Sequence, residues 1–114
     1  MAKAQLEALQ ALVDRILAGQ GAAGAIECKH FFSGAAAYSD GHIFMTLTPI
    51  GLALKLSEND RAQLAALGAA PLRYFPNAPI KKDYVVLPDH VVSDAAALAR
   101  WARASISFAT KTAD

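Results

Sequence analysis

Cysteine and histidine are the side chains here best suited to bind a metal or move a proton. The chain of 114 residues holds one Cys, Cys28, and three His at positions 30, 42 and 90. Cys28 and His30 stand two residues apart, which on a strand puts both on one face at roughly 6.5 to 7 Å. That is too far for a direct thiolate–imidazole contact, and a zinc site needs a third and a fourth ligand. The expectation is a small buried Cys beside a partly exposed His. Ser33-Gly34 lacks the flanking glycines that a nucleophile elbow requires. Gly19, Gly21 and Gly24 lack the spacing and the Lys of a phosphate cradle, and they follow a helical pattern, so they read as a connector. Lys81-Lys82, with Tyr74, Phe75 and Tyr84 around it, comes nearest to a basic surface with aromatics. No dense run of Lys and Arg accompanies it, and a solvated hairpin end is expected. Arg100 and Arg103 flank Trp101 on the polar side of a helical pattern, while Trp101 itself falls in the apolar stripe and reads as core. No catalytic, cofactor-binding or metal-binding residue is assigned, and no cofactor is expected.

The elements that must position these side chains are organised around FFSGAAAYSDGHIFMTL, residues 31–47. Asp40-Gly41 between two apolar runs is the pair that a type I′ hairpin demands, because both central positions need φ > 0. Simple register then sets Ser39 against His42, Tyr38 against Ile43 and Ala36 against Met45. Tyr38, Ile43, Met45 and Leu47 would share the core face, leaving Ala35, Ala37, His42, Phe44 and Thr46 on the other. Those alanines around one Phe read as a thinly covered side or a docking surface for a partner. Gly34 offers room for a bulge or for the close approach of another backbone.

The remaining segments are local in signal. Leu6, Leu9, Leu12, Val13, Ile16 and Leu17 recur at helical spacing, and the glycines from Gly19 should end that helix. Ile26 to Phe32 reads as a strand. Thr48-Pro49-Ile50-Gly51 is a turn into a strand of Leu52, Leu54 and Leu56. Ser57 caps a helix with Leu64 and Leu67 on its inner face, ended by Gly68. Leu72–Phe75 and Tyr84–Leu87 form a second hairpin around Pro76-Asn77-Ala78-Pro79. Ser93-Asp94 opens a last helix whose stripe is Leu98, Trp101, Ala102, Ser105 and Phe108. The order α-β(4)-α-β(2)-α, with strands in short-turn runs, predicts an α+β fold: a two-layer antiparallel sheet packed by helices, as one domain over residues 1–114.

Composition narrows the function classes. A net charge of +1 and scattered basic residues supply no field to recruit a phosphate backbone, so nucleic acid is not the expected partner. No run of roughly 18 apolar residues is present, so no membrane span is expected. A lone Cys does not argue for an oxidising compartment, and the N-terminus carries acids among its apolar residues, unlike a signal peptide. The cytoplasm is the expected location.

An ordered series of motifs is similar to the N-terminal domain of the TfoX/Sxy competence-regulator family. Lys29-His30-Phe31-Phe32-Ser33-Gly34 resembles that family's Arg-Lys-Met-Phe-Gly-Gly stretch, with Phe31 for its Met and Ser33 for its first Gly. Tyr38-Ser39-Asp40-Gly41 and Phe44 match its hairpin, and Leu52-Ala53-Leu54-Lys55 its next strand. Gly68-Ala69-Ala70-Pro71-Leu72-Arg73-Tyr74, Leu87-Pro88, and Asp94, Leu98 and Trp101 follow in family order. The resemblance implies a secretion-chaperone-like α+β fold. Full-length regulators carry a second, C-terminal domain, so this chain is expected to be a standalone N-terminal domain. The expected function is that of a small non-enzymatic regulatory module that contacts a protein partner or a second copy of itself as a homodimer. The alternatives are an enzyme with an unrecognised pocket, marked by convergent ionisable groups, and a nucleic-acid-binding accessory protein, marked by steep salt dependence.

Overall fold

At the tip of the central hairpin Asp40 has φ 51° and Gly41 φ 86°, the left-handed pair of a type I′ turn. The structure is a computed structural model that describes residues 2–17, 26–31, 34–73, 79–80 and 82–111. Helix α1 (Ala2–Ile16) leads to strands β1 (Ile26–Phe31), β2 (Gly34–Ser39), β3 (His42–Thr48) and β4 (Gly51–Lys55). Helix α2 (Glu58–Ala65), strands β5 (Ala70–Pro71) and β6 (Tyr84–Val86), and helices α3 (Asp89–Val92) and α4 (Ala95–Lys111) follow. The strands form one antiparallel six-stranded sheet in the order β1-β2-β3-β4-β6-β5. The α+β fold expected from the pattern is present, with α3 as an added turn of helix directly after Pro88.

Register departs from the simple hairpin at one residue. Ser39 pairs with His42 and Tyr38 with Ile43, but Ala37 then pairs with Met45 and Ala36 with Thr46. Phe44 is therefore the extra residue of a β-bulge, and the expected Ala36–Met45 pair does not form. The bulge also splits the expected core face: Met45 and Leu47 stay on the inner side, but Tyr38 and Ile43 do not. Ala35, Ala37, Phe44 and Met45 lie in the core, whereas Tyr38 and Ile43 are half-buried outside it. The expected docking face of Ala35, Ala37 and Phe44 is thus the inside of the protein: all three are 0% exposed, on strands that pack against α1 and α4. Across the sheet the inner row runs Cys28, Ala37, Met45, Leu54, Val85, Pro71. The row behind it runs Lys29, Ala36, Thr46, Ala53, Val86, Ala70. Gly34 is where backbones meet, since a Cβ there would sit on the Leu47 carbonyl oxygen and 2.8 Å from Thr48 Cα.

Helices close the inner face along the expected stripes, except that α4 ends its stripe on Ala109, with the expected Phe108 half-buried outside the cluster. Leu9, Val13 and Ile16 of α1 and Leu98, Trp101, Ala102 and Ala109 of α4 join the strand residues in one cluster. Trp101 is 5% exposed, so its reading as core holds. Ser105, fully buried on α4, places its hydroxyl 2.7 Å from both the Phe44 and the Lys55 carbonyl oxygens. It thereby supplies a donor beside the bulge. Helix α2 begins as expected, with Ser57 accepting from the Asp60 N–H at 3.2 Å. It ends in a Schellman pair, Ala69 N–H to Leu64 O and Gly68 N–H to Ala65 O, both at 3.0 Å, with Gly68 at φ 107°. Leu64 is buried, but Leu67 is 48% exposed rather than inward, because it lies in the cap and not on the helix. Asp94 opens α4 by accepting from the Ala97 N–H at 3.2 Å. The second hairpin pairs as expected, but its first strand is Ala70–Pro71, ahead of the expected start at Leu72. Leu72 leaves the ladder to become fully buried. The glycine connector at 19–24, Phe32 and Ser33, and positions 74–78 and 81 lie outside the described residues.

Candidate functional site

The residues with chemical potential are spread over separate elements. Cys28 and His30 share the inner side of β1, opposite Ala37 and Ala35. Cys28 is half-buried and His30 exposed. Burial, and after it the charge of Asp14, pushes the Cys28 thiol up from its ordinary value, which keeps it protonated and a poor nucleophile near neutrality. His42 sits at the hairpin turn opposite Ser39. The His90 ring carries Nε2 within 2.7 Å of the Leu67 carbonyl oxygen, a bond that fastens α3 to the end of α2. Among the described residues no three of His, Cys, Asp and Glu come together in a metal-binding group. Of the basic and aromatic group near 81–82, Lys82 is exposed and Tyr84 half-buried, while Tyr74, Phe75 and Lys81 lie outside the described residues. Arg100 stacks its guanidinium over the Trp101 ring at 4.9 Å, and Arg103 is exposed.

No motif announced either of two concavities between helices and the sheet. One, of about 280 Å³, runs between α2 and the β5–β6 edge, where Ala62, Ala65, Pro71 and Val85 line it together with Glu58 and Lys82. Arg61 also lines it but is already engaged: its Nε donates to the Leu56 carbonyl at 3.0 Å, and its guanidinium meets Asp83 at 3.8 Å. The other, of about 390 Å³, is bounded by Leu12 and Ala8 of α1, Leu47 and Leu52 of the sheet, and Val92 of α3, with Arg15 at the rim. Both are surfaced mainly by aliphatic groups, although the first also carries Glu58, Arg61, Lys82 and Tyr84 in its lining. Alanine-rich helices make such grooves, because a methyl side chain leaves room that Leu would fill. The outer row holds a further oddity. Thr46 is 1% exposed, and its Oγ1 has no hydrogen-bond partner among the described residues. No helix of the described residues is long and apolar enough to cross a membrane.

A six-stranded antiparallel sheet, packed on one face by an N-terminal and a C-terminal helix and carrying two small aliphatic grooves, defines a two-layer α+β domain. A family model, the TfoX N-terminal domain, matches residues 17–109. The chain belongs to the TfoX N-terminal domain family. Comparison with curated proteins gives no match.

Proposed function

We propose that the chain is a small non-enzymatic regulatory domain that works through protein contacts and is linked to transcriptional or competence regulation. The observation that carries this reading is the family match over residues 17–109. The site geometry supports it. The grooves are mainly aliphatic, the Cys28 thiol is held protonated, and the three imidazoles stand on separate elements, β1, β3 and α3. A protein partner, with a second copy of the chain as the first candidate, suits such a surface better than a small substrate does. The test is genetic. Deleting the gene should change transcript levels of a defined set of genes, DNA-uptake genes among them, and supplying the chain from a plasmid should restore them. An unchanged transcriptome, or a deletion strain that accumulates an unconverted metabolite, would overturn the reading.

A further inference from the structure

The two edges of the sheet are not alike. Strand β5 is two residues long and one of them is Pro71, so it offers little to pair with. Strand β1 runs six residues with an exposed or half-exposed side chain at every position. Its hydrogen-bonding phase follows from the hairpin. In a two-residue loop the flanking Ser39 and His42 are the bonded pair, so alternation turns the backbone groups of Tyr38 and Ala36 toward β1. In β1 those of Glu27 and Lys29 then face β2. The N–H and C=O groups of Ile26, Cys28 and His30 point outward, and no strand of the described residues pairs with that side.

We infer that β1 is a self-complementary edge that pairs antiparallel with β1 of a second copy, on a two-fold axis through Cys28. The inference rests on the reading that the chain works through protein contacts, and it names the partner. Charge sets the register. Glu27 and Lys29 lie one residue either side of Cys28, with side chains 65% and 58% exposed. An axis through Cys28 brings Glu27 of each copy opposite Lys29 of the other, twice over. These are the non-bonded positions of the new ladder, where opposed side chains approach most closely. Shifting the partner by two residues, the smallest step that keeps outward groups bonded to outward groups, sets Glu27 against Glu27 or Lys29 against Lys29. Opposite charges face each other only in the register centred on Cys28. Within one chain Lys29 already reaches Glu27 at 3.7 Å and lies over the Tyr38 ring at 5.4 Å, so both charges are held on the face where the partner's would stand.

Sedimentation equilibrium on the full chain at micromolar concentrations tests this with substitutions on exposed side chains. Wild type should dimerise. Glu27→Lys or Lys29→Glu alone should each raise the dimer Kd by about tenfold or more, since each turns both cross-copy ion pairs into repulsions. An equimolar mixture of the two single variants should recover the dimer, because one copy then sets two cations against the two anions of the other. The double variant E27K/K29E should recover it as well, since the two charges simply trade places. A monomer throughout would overturn the pairing and leave Glu27 and Lys29 as charges that guard an unpaired edge. A dimer whose Kd ignores the reversals, or a mixture that stays monomeric, would overturn it equally. None of these results depends on the transcript response of the deletion strain, which judges the regulatory reading on its own.

Discussion

Two glycines of the central hairpin are required for different reasons, and substitution separates them. At Gly41 a Cβ would meet nothing within 4 Å, so the cost of Gly41→Val is conformational, about 1–2 kcal/mol for holding a β-branched residue at φ 86°. At Gly34 the obstacle is the backbone of β3, which cannot move aside as a side chain can. Gly34→Ala should cost about 1–3 kcal/mol or more as overpacking. Urea unfolding should show both losses, and a neutral Gly34→Ala would refute the close approach. Cys28 makes a residue-scale prediction in pH. Its thiol pKa is raised on folding by burial and by Asp14, so the native state holds a proton that the unfolded chain releases first. The stability it contributes is complete below the unfolded thiol's pKa and is lost as pH rises through the folded one. Wild-type Tm should therefore fall more steeply on the alkaline side than that of Cys28→Ser, and iodoacetamide should modify Cys28 faster in urea than in buffer. Parallel Tm curves would dismiss the effect.

At the scale of elements, the β3 bulge and helix α4 stabilise each other. The bulge takes the Phe44 carbonyl out of the ladder, and the buried Ser105 hydroxyl bonds it while sharing its proton with the Lys55 carbonyl. Ser105→Ala should cost about 1–3 kcal/mol by leaving buried acceptors unpaired. Trp101→Ala should cost about 3–5 kcal/mol through the cavity it opens, and wild-type emission should be that of a buried indole. Arg100→Ala should leave that emission in place, because Arg100 is exposed while the core buries the ring, and the cation contributes only about 0.5–1 kcal/mol. These elements also show what the sequence can disclose. The Asp40-Gly41 turn, the Ser57 cap, the Gly68 stop and the α4 stripe are local chemistry and are readable. The bulge is not, because Ala35–Ala37 and Ile43–Met45 are apolar at every position and period two cannot choose a face. Helix α3 is a single turn, too short for any periodicity. The grooves depend on where alanines of distant segments meet, which no spacing records, and the β1 edge acquires its direction only from the sheet order.

At the scale of the whole molecule, the sheet formed by the described residues is open at both ends but asymmetrically so. One end is the charged, full-length strand β1 and the other the two-residue strand β5 with Pro71. That asymmetry governs stoichiometry. Once two copies join through β1, both ends of the shared sheet are β5, and neither offers a long run of backbone donors to a third chain. Assembly by this route is closed at two, whatever the protein concentration. A sheet with two edges like β1 would instead grow without limit into fibres. Pro71 thus acts as a terminator: replacing it with a residue that carries an amide hydrogen removes one barrier to continued growth, and with it part of the chain's protection against ordered aggregation.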